Sequence, residues 1–394
     1  MPEIRDYTKL GQSIWYDYLR RAIITSGELK ELIAQGLRGV TANPSIFEKA
    51  IDGSTDYDEE LKRYVEQGKS PAQILEAFMI EDVSKAADLF RTLYDSTNGG
   101  DGYVSIEVNP EIADNTEAMI AEAKRFYTEL KRPNVMIKIP ATDAGFPAIE
   151  RLISEGINVN VTLIFSLKQY RSAAEAYLSG LEKLAAHGGD LQKVSSVASF
   201  FVSRVDTLVD RLLEKKGEKQ LQGKIGVANA KLAYKLFKET FSGKRWDDLT
   251  KKGAHTQRVL WASTSTKNPA YPDTLYVDSL IGPETVNTLP PATLRAALDH
   301  GKVARTIDTG LEQAQDELSR LARTGIDFES VTRDLEVEGV EKFSKSFETV
   351  IASIGKKQES IVEHWSHLSA KLGPYESTVS NSLTKMSEKR IVHR

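Results

Sequence analysis

The sequence predicts an α/β protein, a parallel (β/α)8 barrel with additional helices. Three observations point there. Short apolar runs recur eight times along the chain, amphipathic stretches with helix caps separate them, and several runs alternate between an aliphatic face and a polar one. A doubly wound sheet is the competing arrangement, but no glycine-rich phosphate turn follows the first run.

The runs, in order, begin with SIWYD (13–17) and GVTAN (39–43). A helical stretch follows, in which SPAQILEAF places Ser70 as N-cap, Pro71 at the first helical position and Gln73 to close a capping box. Ile74, Phe78, Leu89, Phe90 and Leu93 continue apolar faces at helical spacing. YVSIEV (103–108), VMIKI (135–139) and NVNVTLI (158–164) are the third to fifth strands. VSSVAS (194–199), RVLWAS (258–263) and TLYVDSL (274–280) complete the set. The 394 residues exceed the roughly 250 of a typical barrel, and the excess is expected as extra helices around 45–100 and a helical C-terminal region. No internal repeat or low-complexity linker divides the chain, so residues 1–372 read as a single barrel domain. Residues 373–394, after Gly373-Pro374, read as a polar tail, either a mobile extension or a flap.

Forty per cent hydrophobic and twenty-seven per cent charged residues suit a protein with a substantial buried core. A net charge of -4 argues against nucleic acid as the main partner. With no cysteine, neither a disulfide framework nor a thiolate metal site can form. The start lacks the long apolar core of a signal peptide and no window has the length of a membrane span, so a soluble, cytoplasmic protein is expected. The six histidines are scattered; HWSH (364–367) holds the one close pair, too weak a pattern for a ligand set, and no metal or cofactor is expected. GGDG (99–102) reads as a turn, and the NVT sequon (160–162) falls in a buried strand.

Alternation makes one residue conspicuous. Val135, Ile137 and Ile139 share one face of the fourth strand, which leaves Met136 and Lys138 on the other. Val104, Ile106 and Val108 likewise oppose Ser105 and Glu107, and Val159, Val161 and Leu163 oppose Asn158, Asn160 and Thr162. A barrel interior is usually apolar, so a polar inward face on three strands marks a site. A lysine desolvated there has a lowered pKa and can attack a carbonyl carbon as a neutral amine. It could equally be a structural lysine paired with Glu107. Glu107 could be that partner or an acid–base catalyst, Asp17 a helix cap, and Asn43 a turn residue before proline. Asn160 and Thr162 could merely satisfy each other.

GVTANPSIF, SIEVNP, MIKIPAT, GINVNVTLIFS, ASFFVSR and VLWASTSTKNP, in that order, resemble the transaldolases, the Schiff-base enzymes of the pentose phosphate pathway. The resemblance runs from about residue 8 to 350, and VEGVEKFSKSFETVIASI resembles the longer bacterial branch. Some relatives fuse this module to glucose-6-phosphate isomerase; here the single module is expected. The resemblance implies a (β/α)8 TIM barrel that transfers a dihydroxyacetone unit. Donors would be fructose 6-phosphate or sedoheptulose 7-phosphate, and acceptors erythrose 4-phosphate or glyceraldehyde 3-phosphate. Lys138 matches the Schiff-base lysine, and Asp17 the carboxylate that takes the C4 hydroxyl proton. Glu107 matches an acid–base group acting through a water that Thr162 helps to hold. Asn43 and Asn160 match amides on the hydroxyls of the three-carbon unit, Ser199 adds a polar contact, and Arg204 matches a phosphate-binding arginine.

The pattern departs from the family after the seventh strand. Shorter transaldolases carry a second phosphate-binding arginine there, whereas ASTSTKNP offers Ser263, Ser265 and Lys267, and a lysine is a point charge rather than a fork. Phe201 falls where transferases keep phenylalanine and the related fructose-6-phosphate aldolases carry tyrosine. Two further readings stay open: an aldolase that releases free dihydroxyacetone, and a silent sugar-phosphate-binding protein. Sugar phosphates are the expected partners, without membrane or nucleic acid, and the sequence does not decide between monomer and homodimer.

Overall fold

Successive side chains of a strand point to opposite faces, and here the two faces meet different surroundings. Val104, Ile106, Val135, Ile137 and Ile139 join one apolar cluster with helix residues such as Ala148, Ile149 and Leu152. Trp15, Tyr103, Met136, Val197, Leu260 and Val286 belong to a second cluster, inside the wall. The computed structural model describes residues 1–52 and 54–370. Its strands are β1 (Gln12–Tyr16), β2 (Gly39–Thr41), β3 (Tyr103–Glu107), β4 (Val135–Pro140), β5 (Val159–Ile164), β6 (Ser196–Phe201), β7 (Arg258–Ala262) and β8 (Thr285–Leu289). They close into one barrel in chain order, every neighbouring pair parallel. This is a (β/α)8 TIM barrel. The expected tail, 373–394, and the side chains of His364 and His367 lie outside the described residues.

Two expectations need correction. TLYVDSL is not the eighth strand: Leu275–Asp278 is a short helix, in which Asp278 N–H donates to the Thr274 carbonyl at 2.9 Å. Its aromatic and β-branched residues instead bury Tyr276, whose hydroxyl donates to Asp206 at 2.9 Å. The true strand, TVNTL, is disguised by polar residues. Asn287 Oδ1 accepts the Thr264 hydroxyl at 3.1 Å, and Thr285 donates to the Gly282 carbonyl at 2.6 Å. The second correction is Leu163. A register irregularity between Val161 and Ile164 gives Leu163 a φ of +62°, rare for a non-glycine residue. It leaves the outer aliphatic set for the cluster that holds Phe165, Phe201 and Phe343.

Glycine is required at the start of β2. A Cβ on Gly39 would stand 2.6 Å from the Trp15 indole and 2.8 Å from the Tyr103 carbonyl oxygen. At the N-terminal end of the barrel, Arg258 donates to Ser13 at 2.8 Å and to Asp101 at 3.1 Å, a polar plug. The cavity described below lies at the other end, as the barrel architecture favours.

The extra helices follow β2 and, beyond β8, end the described residues. Pro71–Ser96 begins with the expected capping box: Gln73 N–H donates to Ser70 Oγ at 3.3 Å and Ser70 N–H to Gln73 Oε1 at 2.9 Å. The last of the described helices, Phe328–Ala370, lays residues over the barrel mouth. Leu335 and Phe343 join the inner cluster, while Val350 and Ile354 join the outer one. Its Ser346 hydroxyl lies 2.8 Å from that of Ser45, and Lys357 donates to the carbonyls of Ile51 at 2.9 Å and Ser54 at 3.1 Å. A Cβ on Gly339 would meet Leu163 at 3.0 Å, so glycine lets this helix approach closely. Among the described residues no helix is long and apolar enough to cross a membrane.

Candidate active site

Register brings the polar inward residues into line. Glu107 pairs with Lys138 across β3 and β4, and Lys138 with Asn160 across β4 and β5. Lys138 and Glu107 are each 5% exposed, and Lys138 Nζ donates to Glu107 Oε2 at 3.0 Å and to the Ala42 carbonyl at 3.3 Å. The ion pair and the cavity-facing amine, alternatives in the sequence, coexist.

Burial raises the pKa of Glu107; the Lys138 ammonium opposes that rise and the Asp17 carboxylate adds to it. Burial also raises Asp17, against the lowering effect of the Thr41 hydroxyl, which donates to Oδ1 at 2.7 Å, and of the cations Lys138, Lys267 and Arg204. Thr41 in turn lies 2.7 Å from the Thr288 hydroxyl, which fixes it between β1 and β8. Two carboxylates thus share a site, both with raised proton affinity.

A cavity of about 500 Å³ opens above this floor. Asp17, Asn43, Lys138, Thr162, Ser199, Phe201, Arg204, Ser263 and Lys267 line it, together with Ser265. Glu107 and Asn160, the other two sequence candidates, are buried and outside that lining. Asn160 is held by Ser105, to which its amide donates at 3.1 Å, and by Ser199, whose hydroxyl donates to its Oδ1 at 2.7 Å. Thr162 does not pair with Asn160; among the described residues its buried hydroxyl has no partner. Asn43 keeps its local role as well, for its Oδ1 accepts the Ile46 N–H at 3.1 Å.

The mouth is cationic. Arg204 lies with its guanidinium carbon 5.3 Å from the Phe201 ring and 5.8 Å from the Phe343 ring, and its buried Nη1 has no hydrogen-bond partner among the described residues. Burial lowers its pKa from the ordinary arginine value, with Glu338, Glu107 and Asp17 opposing. Beyond β7, Ser263 holds a φ of +54°, and its hydroxyl lies 3.0 Å from that of Ser203. This turn brings Lys267 to the cavity, where it donates to Ser265 at 2.6 Å.

Sequence reasoning missed several lining residues. Thr41 sits inside the quoted TAN motif and could have been found as an inward polar residue. Phe343 could not: it is one of many apolar residues on a long helix, yet its ring centre lies 5.7 Å from Lys138 Nζ. Size alone would not have found the site. A wider depression of about 770 Å³, by Phe146 and Lys183, lies away from this constellation. Among the described residues no group of three or more acidic or histidine side chains is placed to hold a metal ion.

Residues 14–354 match the family described as Transaldolase/Fructose-6-phosphate aldolase. A protein named Transaldolase from Trichodesmium erythraeum is 48% identical over 366 residues, covering 89% of this chain and 96% of its own. Transaldolase 1 of Streptomyces avermitilis is 50% identical over 349 residues, covering 87% and 92%. Transaldolase 2 of a Nostoc species is 46% identical over 370 residues, covering 90% and 96%. With a barrel, a buried lysine–glutamate pair and a cationic mouth in place, the chain belongs to the transaldolase/fructose-6-phosphate aldolase family.

Proposed function

We propose that this chain is a transaldolase, which moves a dihydroxyacetone unit from sedoheptulose 7-phosphate or fructose 6-phosphate to glyceraldehyde 3-phosphate or erythrose 4-phosphate through a Schiff base on Lys138. The observation that carries this reading is the Lys138 amine, 3.0 Å from a carboxylate of raised proton affinity and lining a cavity whose mouth is cationic.

Glu107 accepts a proton from the Lys138 ammonium, and the neutral amine adds to the ketose C2 carbonyl to give a carbinolamine. Glu107 then returns a proton to the departing hydroxyl, water leaves, and an iminium remains. Asp17 takes the proton of the C4 hydroxyl; the C3–C4 bond breaks, its electron pair neutralises the iminium, and the shortened aldehyde departs. The enamine left on Lys138 attacks the acceptor aldehyde, Asp17 gives its proton to the new alkoxide, and hydrolysis frees the product. Thr162 steadies the water that moves between Glu107 and the reacting carbon. Asn43, Asn160 and Ser199 hold the hydroxyls of the three-carbon unit. Arg204 takes the phosphate, with Ser263 and Lys267 beside it.

Phe201 separates transfer from release. An apolar ring gives a hydrolytic water no hydrogen-bond partner, and excluding water protects the enamine. The C-terminal helix roofs the same cavity, which supports reading residues 1–372 as one catalytic domain. A cytoplasmic location agrees with the cysteine-free sequence. The test is acceptor dependence. Fructose 6-phosphate should turn over slowly alone and rapidly with erythrose 4-phosphate, whereas release of dihydroxyacetone as fast as transfer would make the protein an aldolase. Phe201→Tyr should raise the acceptor-free rate.

A further inference from the structure

The cavity lining is lopsided in charge. Lys49, Lys138, Arg204 and Lys267 line it against one carboxylate, Asp17. Lys138 has its counter-ion in Glu107 at 3.0 Å. Among the described residues the other three cations engage no carboxylate in an ion pair: Lys267 donates to the Ser265 hydroxyl, and Arg204 Nη1 is buried and unpartnered. Arg245, by contrast, is 2.7 Å from both Glu175 and Glu182.

Lys49 comes to this wall from an unexpected element. It stands in the last turn of the helix Pro44–Asp52, and Ser45, Ile46 and Lys49 line the cavity together, the spacing of a single helix face. That face is held in place, because Ser45 contacts Ser346 of the C-terminal helix at 2.8 Å. Its charge is felt across the opening: the proton affinity of Lys267 is lowered by burial first, then by Arg204, then by Lys49. A lone exposed lysine is ordinarily a solvated surface charge. Three cations without a carboxylate ion pair converge on one opening, where only Asp17 among the lining residues offsets them, and their mutual repulsion is relieved by an anion carrying more than one charge. A phosphomonoester, with a charge near -2 and three acceptor oxygens, fits.

We infer that Lys49 is a third phosphate-binding cation, holding the substrate's phosphate from the Pro44–Asp52 side opposite Arg204 and Lys267. The inference rests on the reading of Arg204 as the phosphate-binding residue and extends it to a helix that neither motif nor family pattern assigns. Where a second arginine is missing after β7, the flexible stem of Lys49 supplies the charge from across the cavity.

The test compares Lys49→Ala, Lys49→Arg and Arg204→Ala, with inorganic phosphate as competitive inhibitor and fructose 6-phosphate as donor. Lys49→Ala should weaken phosphate inhibition and raise the KM for fructose 6-phosphate by about tenfold, the low end of the worth of a hydrogen bond to a charged group. Lys49→Arg should stay close to the unmodified protein, and the KM for unphosphorylated fructose should move far less. If Lys49→Ala stays within about twofold of the unmodified protein while Arg204→Ala weakens phosphate, the inference falls and the phosphate reading stands. If neither variant weakens phosphate, the reading of Arg204 falls and the inference with it. Equal KM increases for fructose and fructose 6-phosphate would make Lys49 a support of the helix wall, which also overturns the inference.

Discussion

Glu107 Oε2 accepts a hydrogen bond from Lys138 Nζ at 3.0 Å, and the two residues oppose each other in the register of β3 and β4. The carboxylate therefore serves both as the counter-ion of a buried ammonium and as the nearest acceptor of its proton. Glu107→Gln should slow imine formation by about 10²–10⁴-fold, the usual worth of general acid–base catalysis. Breaking a buried pair on one side also destabilises by about 3–5 kcal/mol, so urea unfolding should show that loss alongside the slow imine. Asp17→Asn should behave differently, accumulating imine from the donor while carbon–carbon cleavage stops. Rapid-quench trapping of the imine separates the two, and near-normal turnover in either variant contradicts its assignment. Because burial raises both carboxylates, the acidic limb of the kcat/KM profile should lie above the ordinary carboxylate range of about 4.

Arg204 carries the phosphate end of the reading. Arg204→Ala should raise the KM for fructose 6-phosphate by about 10–100-fold, the worth of a charge-assisted contact, and should affect unphosphorylated donors much less. Steady-state kinetics with both donor types decides it. Equal losses on both would mean that the guanidinium, packed against Phe201 and Phe343, mainly supports the roof.

The roof gives a third expectation. Phe343 is buried, and its ring centre lies 5.7 Å from Lys138 Nζ. Phe343→Ala should let water reach the enamine and raise the ratio of free dihydroxyacetone to transfer product, while Phe343→Leu keeps the ratio low. Loss of a buried phenylalanine costs about 3–5 kcal/mol, so the ratio is read on protein whose thermal melt shows it folded. An unchanged ratio in folded Phe343→Ala would remove the ring from the account.

Asp206 predicts a pH dependence of stability. It is buried, accepts the Gly226 N–H at 2.7 Å and the Tyr276 hydroxyl at 2.9 Å, and burial is the main cause of a pKa raised to about 7. A carboxyl that binds its proton more tightly when folded contributes stability that is fully present below the unfolded value of 3.8 and is lost as pH rises through about 7. Between pH 5 and 8 the unmodified protein should lose about 2–3 kcal/mol relative to Asp206→Asn. Parallel urea-derived stability curves for the two proteins would contradict this.

The residues legible in the sequence were those whose surroundings follow from period-two alternation. Lys138 and Glu107 stood out because their neighbours on each strand are aliphatic, and the barrel wall placed them side by side. Where alternation fails, so did the reading. β8 hid behind Thr285 and Asn287, whose hydrogen bonds run to neighbouring loops, and the aromatic-rich 274–280 stretch took its place. Leu163 changed sides because the local register slips at a positive φ that no residue type there announces. Phe343 and Lys49 sit on helices outside the barrel, and only tertiary packing carries them to the cavity.

The most direct test of the account is covalent. The protein is incubated with fructose 6-phosphate, reduced with borohydride and digested, and the peptides are examined by mass spectrometry. The account predicts a single reduced three-carbon adduct on Lys138, absent from Lys138→Ala. An adduct on another lysine, or turnover with no adduct at all, would contradict it.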